Sequence, residues 1–161
     1  MKLEYIIFNG PPMNIYCDFE DGFLVKLSIG ESGFSNAQKR EYISDGQNFF
    51  IKELKNYFSG HLKKFKQKIK FKSGTDFEKH IWQTLLKIPY GETRTYKWLA
   101  EKAGFLKASR AAGNALSKNP LPVIVPCHRI IKSDGSLGGF TGGTDIKIKL
   151  LKVENIVIKK A

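Results

Sequence analysis

Pro122-Val123-Ile124-Val125-Pro126-Cys127-His128-Arg129-Ile130-Ile131 is the run on which the reading of the chain turns. Val123, Ile124 and Val125 read as a short buried segment. Pro126 ends it and biases the residue before it toward an extended conformation. A thiol, an imidazole and a guanidinium then leave a rigid apolar element together, and cationic or hydrogen-bonding neighbours favour a thiolate. Against this stands the plainer reading of Cys127 as a small buried hydrophobe beside a satisfied histidine. The local run alone does not decide between the two, and the rest of the chain has to.

Outward from this run, the composition is that of a folded soluble protein. There are 161 residues, enough for one ordinary core or two small ones, with 42% hydrophobic and 26% charged content. No apolar run is long enough for a bilayer and no secretory signal is visible, so a cytoplasmic protein is expected. Cys17 and Cys127 lie far apart and lack zinc-ligand spacing, which suits free thiols in a reducing compartment and no metal. The net charge of +12 argues for a polyanionic partner, nucleic acid before membrane. Residues 1–74 carry 12 basic and 8 acidic groups and residues 75–161 carry 15 and 7, so the second half is the better candidate for touching phosphate.

Upstream, residues 2–8 look like a strand, and Asn9-Gly10-Pro11-Pro12 like a turn. Ile15–Glu20 and Phe23–Ile29 flank Asp21-Gly22 as a β-hairpin. Residues 30–46 are polar, with Tyr42-Ile43 as another short strand. Residues 47–59 have near-helical apolar spacing, stopped by Gly60. Lys66, Lys68, Lys70 and Lys72 alternate with Gln67, Ile69 and Phe71 as in a half-solvated edge strand, where lysines also serve as edge protection.

Ser73-Gly74-Thr75 is the expected domain boundary, giving units 1–73 and 74–161. Thr75 or Asp76 can cap a helix bearing Phe77, Ile81, Leu85 and Ile88, ended by Pro89-Tyr90-Gly91. Thr95 can cap a short helix through Ala103, closed by Gly104, and residues 108–118 give a third. This pair resembles a helix-turn-helix whose second member is lined by small residues, among them Ala111, with Arg110 projecting. Thr144 or Asp145 can cap a last helix carrying Ile146, Ile148, Leu150, Leu151 and Val153, and a weakly alternating tail ends in Lys159-Lys160.

From Gly74 to Glu154 these residues resemble the O6-alkylguanine-DNA alkyltransferases, or methylated-DNA–protein-cysteine methyltransferases. The resemblance lies in Ile88-Pro-Tyr-Gly-Glu-Thr, Thr95-Tyr96, Leu99-Ala100, Arg110-Ala111, Asn119-Pro120, Pro126-Cys127-His128-Arg129-Ile130, the run from Gly138 to Gly143, and Leu150-Leu-Lys-Val-Glu154. It implies an α+β, two-domain fold. The first unit would be a ribonuclease-like α/β domain, and the second a helical, winged helix-turn-helix-like alkyltransferase domain. The N-terminal half is much less distinctive.

The resemblance also implies a reaction: irreversible, stoichiometric transfer of an alkyl group from O6 of guanine in double-stranded DNA to Cys127, after nucleotide flipping. No cofactor, membrane or obligate protein partner is implied, and activity on O4-alkylthymine is left open. By the same resemblance His128 is the base acting through a bound water, Glu154 its orienting acid, and Asn119 the holder of the active-site turn. Arg110 is similar to the finger that fills the place of the flipped nucleotide. Tyr96 crowds the 3′ phosphate and can supply a proton near guanine N3. Lys97, Ala111 and Ser133 fall on the DNA-contacting side, while Ile130, Phe140 and Thr141 fall in the substrate pocket. Phe140 stands where tyrosine is frequent and Asn114 where some members have a second glycine.

The chemistry suits these demands, since displacement at a primary alkyl carbon favours a soft deprotonated sulfur, and a buried base must be rotated out of the duplex first. A thioether has no visible route of release, so each molecule should act once. A DNA-binding module without transfer, or a thiol hydrolase, are the rival classes. Retention of the alkyl label on Cys127 separates them.

Overall fold

The computed structural model describes residues 1–30, 41–42 and 48–158. They fall into two compact units, Met1–Lys72 and Ser73–Ala161.

The first unit is built on a four-stranded sheet of order β3-β2-β1-β4, with β1 Leu3–Phe8, β2 Ile15–Glu20, β3 Phe23–Ile29 and β4 Glu41–Tyr42. The hairpin forms over the expected residues. Its turn places Asp21 at φ 50° and Gly22 at φ 82°, the paired positive φ angles a two-residue connection needs to match strand twist. β1 pairs antiparallel with β2 and parallel with β4; Ile43, expected to extend β4, lies outside the described residues. Alternate residues Ile15, Cys17 and Phe19 of β2 point into the core. Helix α1, Phe49–Phe58, covers that core with Phe50, Ile51, Leu54 and Tyr57, and Asn48 caps it by accepting from Phe50 N and Ile51 N. The expected edge strand over 66–72 is not a strand. Its backbone meets β3 at a single parallel bridge, Leu24 to Ile69, because the chain supplies only Leu24's two hydrogen bonds to it before continuing away.

In the second unit Thr75, not Asp76, caps α2, Asp76–Leu85, through a reciprocal capping box with Glu78. α2 buries Ile81, Trp82 and Leu85, and the Trp82 indole donates to Ala115 O at 2.8 Å, which ties it to α4. α3, Tyr96–Lys102, is capped by Thr95, and α4 runs from Ser109 to Ser117. Gly104 at φ 92° lies in the turn between them. β5, Arg94–Thr95, pairs in parallel with β6, Ile130–Ile131, and thereby joins the start of α3 to the segment after Cys127.

Two expectations about this unit change. Val123–Val125 is buried as read, yet the chain turns there, with Val125 N donating to Leu121 O and Val123 at φ 75°. A β-branched residue at positive φ is strained, and here the loop's own hydrogen bonds override its extended preference. The last helix, α5, Thr144–Val153, takes Gly143 rather than Thr144 or Asp145 as its N-cap and has no side-chain cap. Residues 156–158 form no strand, and 159–161 lie outside the described residues.

Candidate active site

Asn119, just beyond α4, sets the geometry of the turn before Cys127. Its side-chain NH2 donates to Val125 O at 3.0 Å, and its oxygen accepts from Leu121 N at 2.9 Å. One buried amide thus closes the loop on both sides and holds the strained Val123. The chain then enters a single 3-10 turn, Cys127–Arg129, packed on α5. Cys127 is 5% exposed and His128 fully buried.

The 3-10 turn sends His128 and Arg129 to the same acceptor at the end of α5. Glu154 Oε1 lies 2.8 Å from His128 Nε2, and Arg129 binds both carboxylate oxygens, Nε at 2.9 Å from Oε2 and Nη2 at 2.8 Å from Oε1. Gly91 N adds a bond to Oε2 at 3.2 Å, and Arg129 Nη1 donates to Ile88 O at 2.6 Å. Burial by itself would raise the Glu154 carboxyl; hydrogen bonds from His128 and Arg129 outweigh it and hold the group well below the usual carboxylate range. Burial lowers His128, overcoming the pull of Glu154 toward the charged form. A neutral imidazole facing a carboxylate must carry its hydrogen on Nε2, which leaves Nδ1 as the basic nitrogen.

Burial also dominates at the thiol and pushes Cys127 up to about 11, against the opposing influence of the Asn119 amide and of Lys147. Hydrogen-bonding and cationic neighbours do favour the thiolate, as the sequence suggested, but burial outweighs them.

Cys127 opens into a cavity of about 280 Å³ lined by Tyr96, Gly113, Leu116, Ser117, Gly139, Phe140 and Thr141. Tyr96 stands at its wall, its hydroxyl raised by burial while a hydrogen bond to the Gly139 backbone opposes the shift. Gly138 makes this approach possible. It sits at φ 71°, and a Cβ there would lie 2.6 Å from the Tyr96 hydroxyl. The Thr141 hydroxyl donates to Ser117 O at 3.3 Å, tying the glycine-rich loop to the end of α4.

The other residues singled out in the sequence lie elsewhere in the unit. Arg110 and Ala111 are exposed on α4, Lys97 is exposed on α3 within 4.0 Å of Glu101, and Ser133 is exposed in the turn after β6. Ile130 is fully buried and does not line the cavity; its carbonyl accepts from Lys147.

Lys147 was missed. Its ammonium lies fully buried and donates to Ile130 O at 2.6 Å, Leu137 O at 2.5 Å and Gly139 O at 3.1 Å, pinning both ends of the loop that walls the cavity. Burial lowers its pKa to about 8, while the nearby Cys127 acts the other way. The signal was present in helical spacing, since 147, 150, 151 and 154 follow i, i+3, i+4, i+7. Arg129 was quoted in the sequence, but its grip on Glu154 was not foreseen. Among the described residues no group of three or more His, Cys, Asp or Glu side chains could hold a metal ion.

Comparison with known proteins bears on what such a site does. The family described as "6-O-methylguanine DNA methyltransferase, DNA binding domain" matches residues 76–156. A methylated-DNA–protein-cysteine methyltransferase of Methanosarcina barkeri is 52% identical over 113 residues, 68% of this chain and 71% of that protein. The crystal structure of the Mycobacterium tuberculosis O6-methylguanine methyltransferase superposes with a TM-score of 0.84 at 33% identity, covering 94% of this chain and 92% of that one. A structure of the Mycobacterium tuberculosis protein in complex with DNA gives 0.82 at 34% identity over 94% of this chain and 92% of that one.

Proposed function

Since the chain belongs to the methylated-DNA–protein-cysteine methyltransferase family, we propose that Cys127 is its methyl acceptor and that His128, Glu154, Asn119 and Tyr96 serve the transfer. The activity is direct reversal of damage: a methyl group passes from O6 of guanine in double-stranded DNA to a cysteine of the protein, which is consumed. The observation that carries the assignment is the buried Glu154–His128 hydrogen bond beside Cys127, because it makes the imidazole a base next to a thiol that burial keeps protonated.

In the proposed sequence His128 Nδ1 takes the Cys127 proton, through water if the two are not in contact. Glu154 stabilises the imidazolium so formed, as a carboxylate does for the histidine of other nucleophile–base pairs. The sulfur attacks the methyl carbon, an S–C bond forms, and the C–O6 bond breaks with its electrons returning to guanine. Tyr96 can donate toward the departing base and ease its negative charge. The proton that left Cys127 returns from His128 through water to the guanine ring nitrogen, and the thioether remains on Cys127. The Lys147 ammonium, which favours the thiolate electrostatically, supports the step while holding the cavity wall.

The DNA-binding roles rest on the exposed face of α3 and α4. Arg110 would occupy the stack left by the flipped nucleotide, with Ala111 allowing close approach to the minor groove. Lys97 and Ser133 would contact the backbone, while Phe140 and Thr141 would wall the base pocket, with Ile130 behind. Free thiols suit a reducing compartment such as the cytoplasm.

Incubation of the reduced protein with duplex DNA carrying labelled O6-methylguanine tests the assignment. Label should appear on Cys127 with guanine restored, and Cys127→Ala should abolish transfer yet keep most DNA affinity. Arg110→Ala should slow duplex repair far more than reaction with free O6-alkylguanine. Equal losses on both substrates would sink its flipping role, and label elsewhere would sink the acceptor assignment.

A further inference from the structure

The lysine run that closes the N-terminal unit takes no part in the chemistry at Cys127, yet its backbone is held in place. The Glu53 carboxylate, 4% exposed, accepts from Lys66 N at 2.6 Å and Gln67 N at 3.0 Å. The Gln67 amide donates to Gly22 O and Lys68 O. Leu24 N donates to Lys68 O at 2.9 Å, and Lys70 N donates to Leu24 O at 3.0 Å. Side chains alternate along this pinned stretch. Lys66, Lys68, Lys70 and Lys72 are exposed, while Gln67, Ile69 and Phe71 are half-buried. Lys72 pairs with Glu20, but among the described residues Lys66, Lys68 and Lys70 have no ion pair.

Three unneutralised ammonium groups therefore repeat on one face of an extended chain. Alternate residues of such a chain recur about every 6.7 Å, close to twice the roughly 3.4 Å axial spacing of phosphates along one strand of duplex DNA. A row at that pitch can meet every second phosphate along a strand, and the hydrogen bonds that hold its backbone remove the backbone part of the ordering cost. Lysines on a sheet edge also discourage edge-to-edge pairing, and that role makes a different claim about what their removal does.

We infer that Lys66, Lys68 and Lys70 form a phosphate-binding row on the N-terminal unit for the backbone of duplex DNA, separate from the face of α3 and α4. The alkyltransferase reading enters only in choosing DNA among polyanions.

The test uses the full chain and an undamaged duplex, with affinity measured between about 50 and 200 mM salt. Lys68→Gln/Lys70→Gln is compared with Lys52→Gln/Lys55→Gln, which removes the same charge from exposed positions on α1. The row variant should make the dependence of log affinity on log salt shallower by about 1.8, at about 0.9 per lost phosphate contact, and the α1 variant by less than about 0.5. A difference between the two variants below about 0.5 would overturn the inference, whether both slopes fall together or neither does. Self-association of the row variant at an unchanged slope would also overturn it, leaving edge protection as the lysines' role. Methyl transfer from free O6-methylguanine, which has no phosphate, should be unaltered in both variants. Failure of the alkyltransferase reading would show there, in the unsubstituted chain, while the salt slopes are judged on their own.

Discussion

At the scale of the residue, burial keeps the proposed acceptor, Cys127, in its thiol form. A protein whose cysteine can be used once gains from a thiol held near pKa 11, because stray alkylation and oxidation act on thiolates. In the proposed mechanism reactivity is released by proton transfer to His128 when substrate is present. Glu154 is the fixed charge in this arrangement, and it carries a pH signature. Its folded carboxyl is held below the unfolded value, so below about pH 5 the unfolded chain binds a proton that the folded chain refuses. Stability contributed by Glu154 is therefore complete above that range and lost as pH falls through it. Glu154→Gln should lower stability at neutral pH by about 3–5 kcal/mol, because Arg129 is left as an uncompensated buried charge. It should also flatten the acid limb of a urea-unfolding series, and an acid limb as steep as that of the unsubstituted protein would contradict this role.

At the scale of the element, α5 works as a bracket. Its buried face presents Lys147 toward the cavity wall, Leu150 and Leu151 to the core, and Glu154 just past its end to the 3-10 turn. Lys147→Met keeps the length of the side chain but removes the donor from three carbonyls. It should destabilise the unit by about 2–4 kcal/mol, in line with the loss of charged hydrogen bonds from a buried site. Transfer should fall by more than this stability loss explains, since the Gly138–Gly139 wall and the ammonium near the thiol go together. A variant that is destabilised but transfers at the original rate would make Lys147 purely structural.

This element also marks the limit of what the sequence made legible. The hairpin, the Thr95 cap and the His128–Glu154 contact could be read because each depends on near neighbours or on a resemblance with fixed spacing, whereas the α2 cap was narrowed only to Thr75 or Asp76. Lys147 could not be read from residue type, since lysine is ordinarily solvated; only helical period placed it on the buried face. The turn at Val123 was hidden for a related reason. Its β-branched run favours extension, and the opposing force comes from Asn119, whose two hydrogen bonds act across the loop. The lysine row looked like a strand because alternation is a strand's pattern, although a single bridge is all that forms.

At the scale of the whole molecule, two units carry different charge logic. The second holds the proposed reactive centre, with Arg110 and Lys97 exposed on its helices, and the first presents a row of exposed lysines, of which Lys66, Lys68 and Lys70 have no ion pair among the described residues. The exposed lysines and arginines of both units suit a polyphosphate, while at the buried site the Glu154 carboxylate is paired with Arg129. A methyltransferase whose acceptor cysteine is consumed acts once per molecule, so the amount of repair should be set by the amount of protein. The most direct measurement is the titration of a fixed quantity of reduced protein with an excess of duplex containing O6-methylguanine, followed by intact mass and peptide mapping. The expected result is a plateau at one methyl group per chain, on Cys127, with no further repair on longer incubation. Continued repair beyond one equivalent, or a plateau with the methyl group on any other residue, would contradict the account.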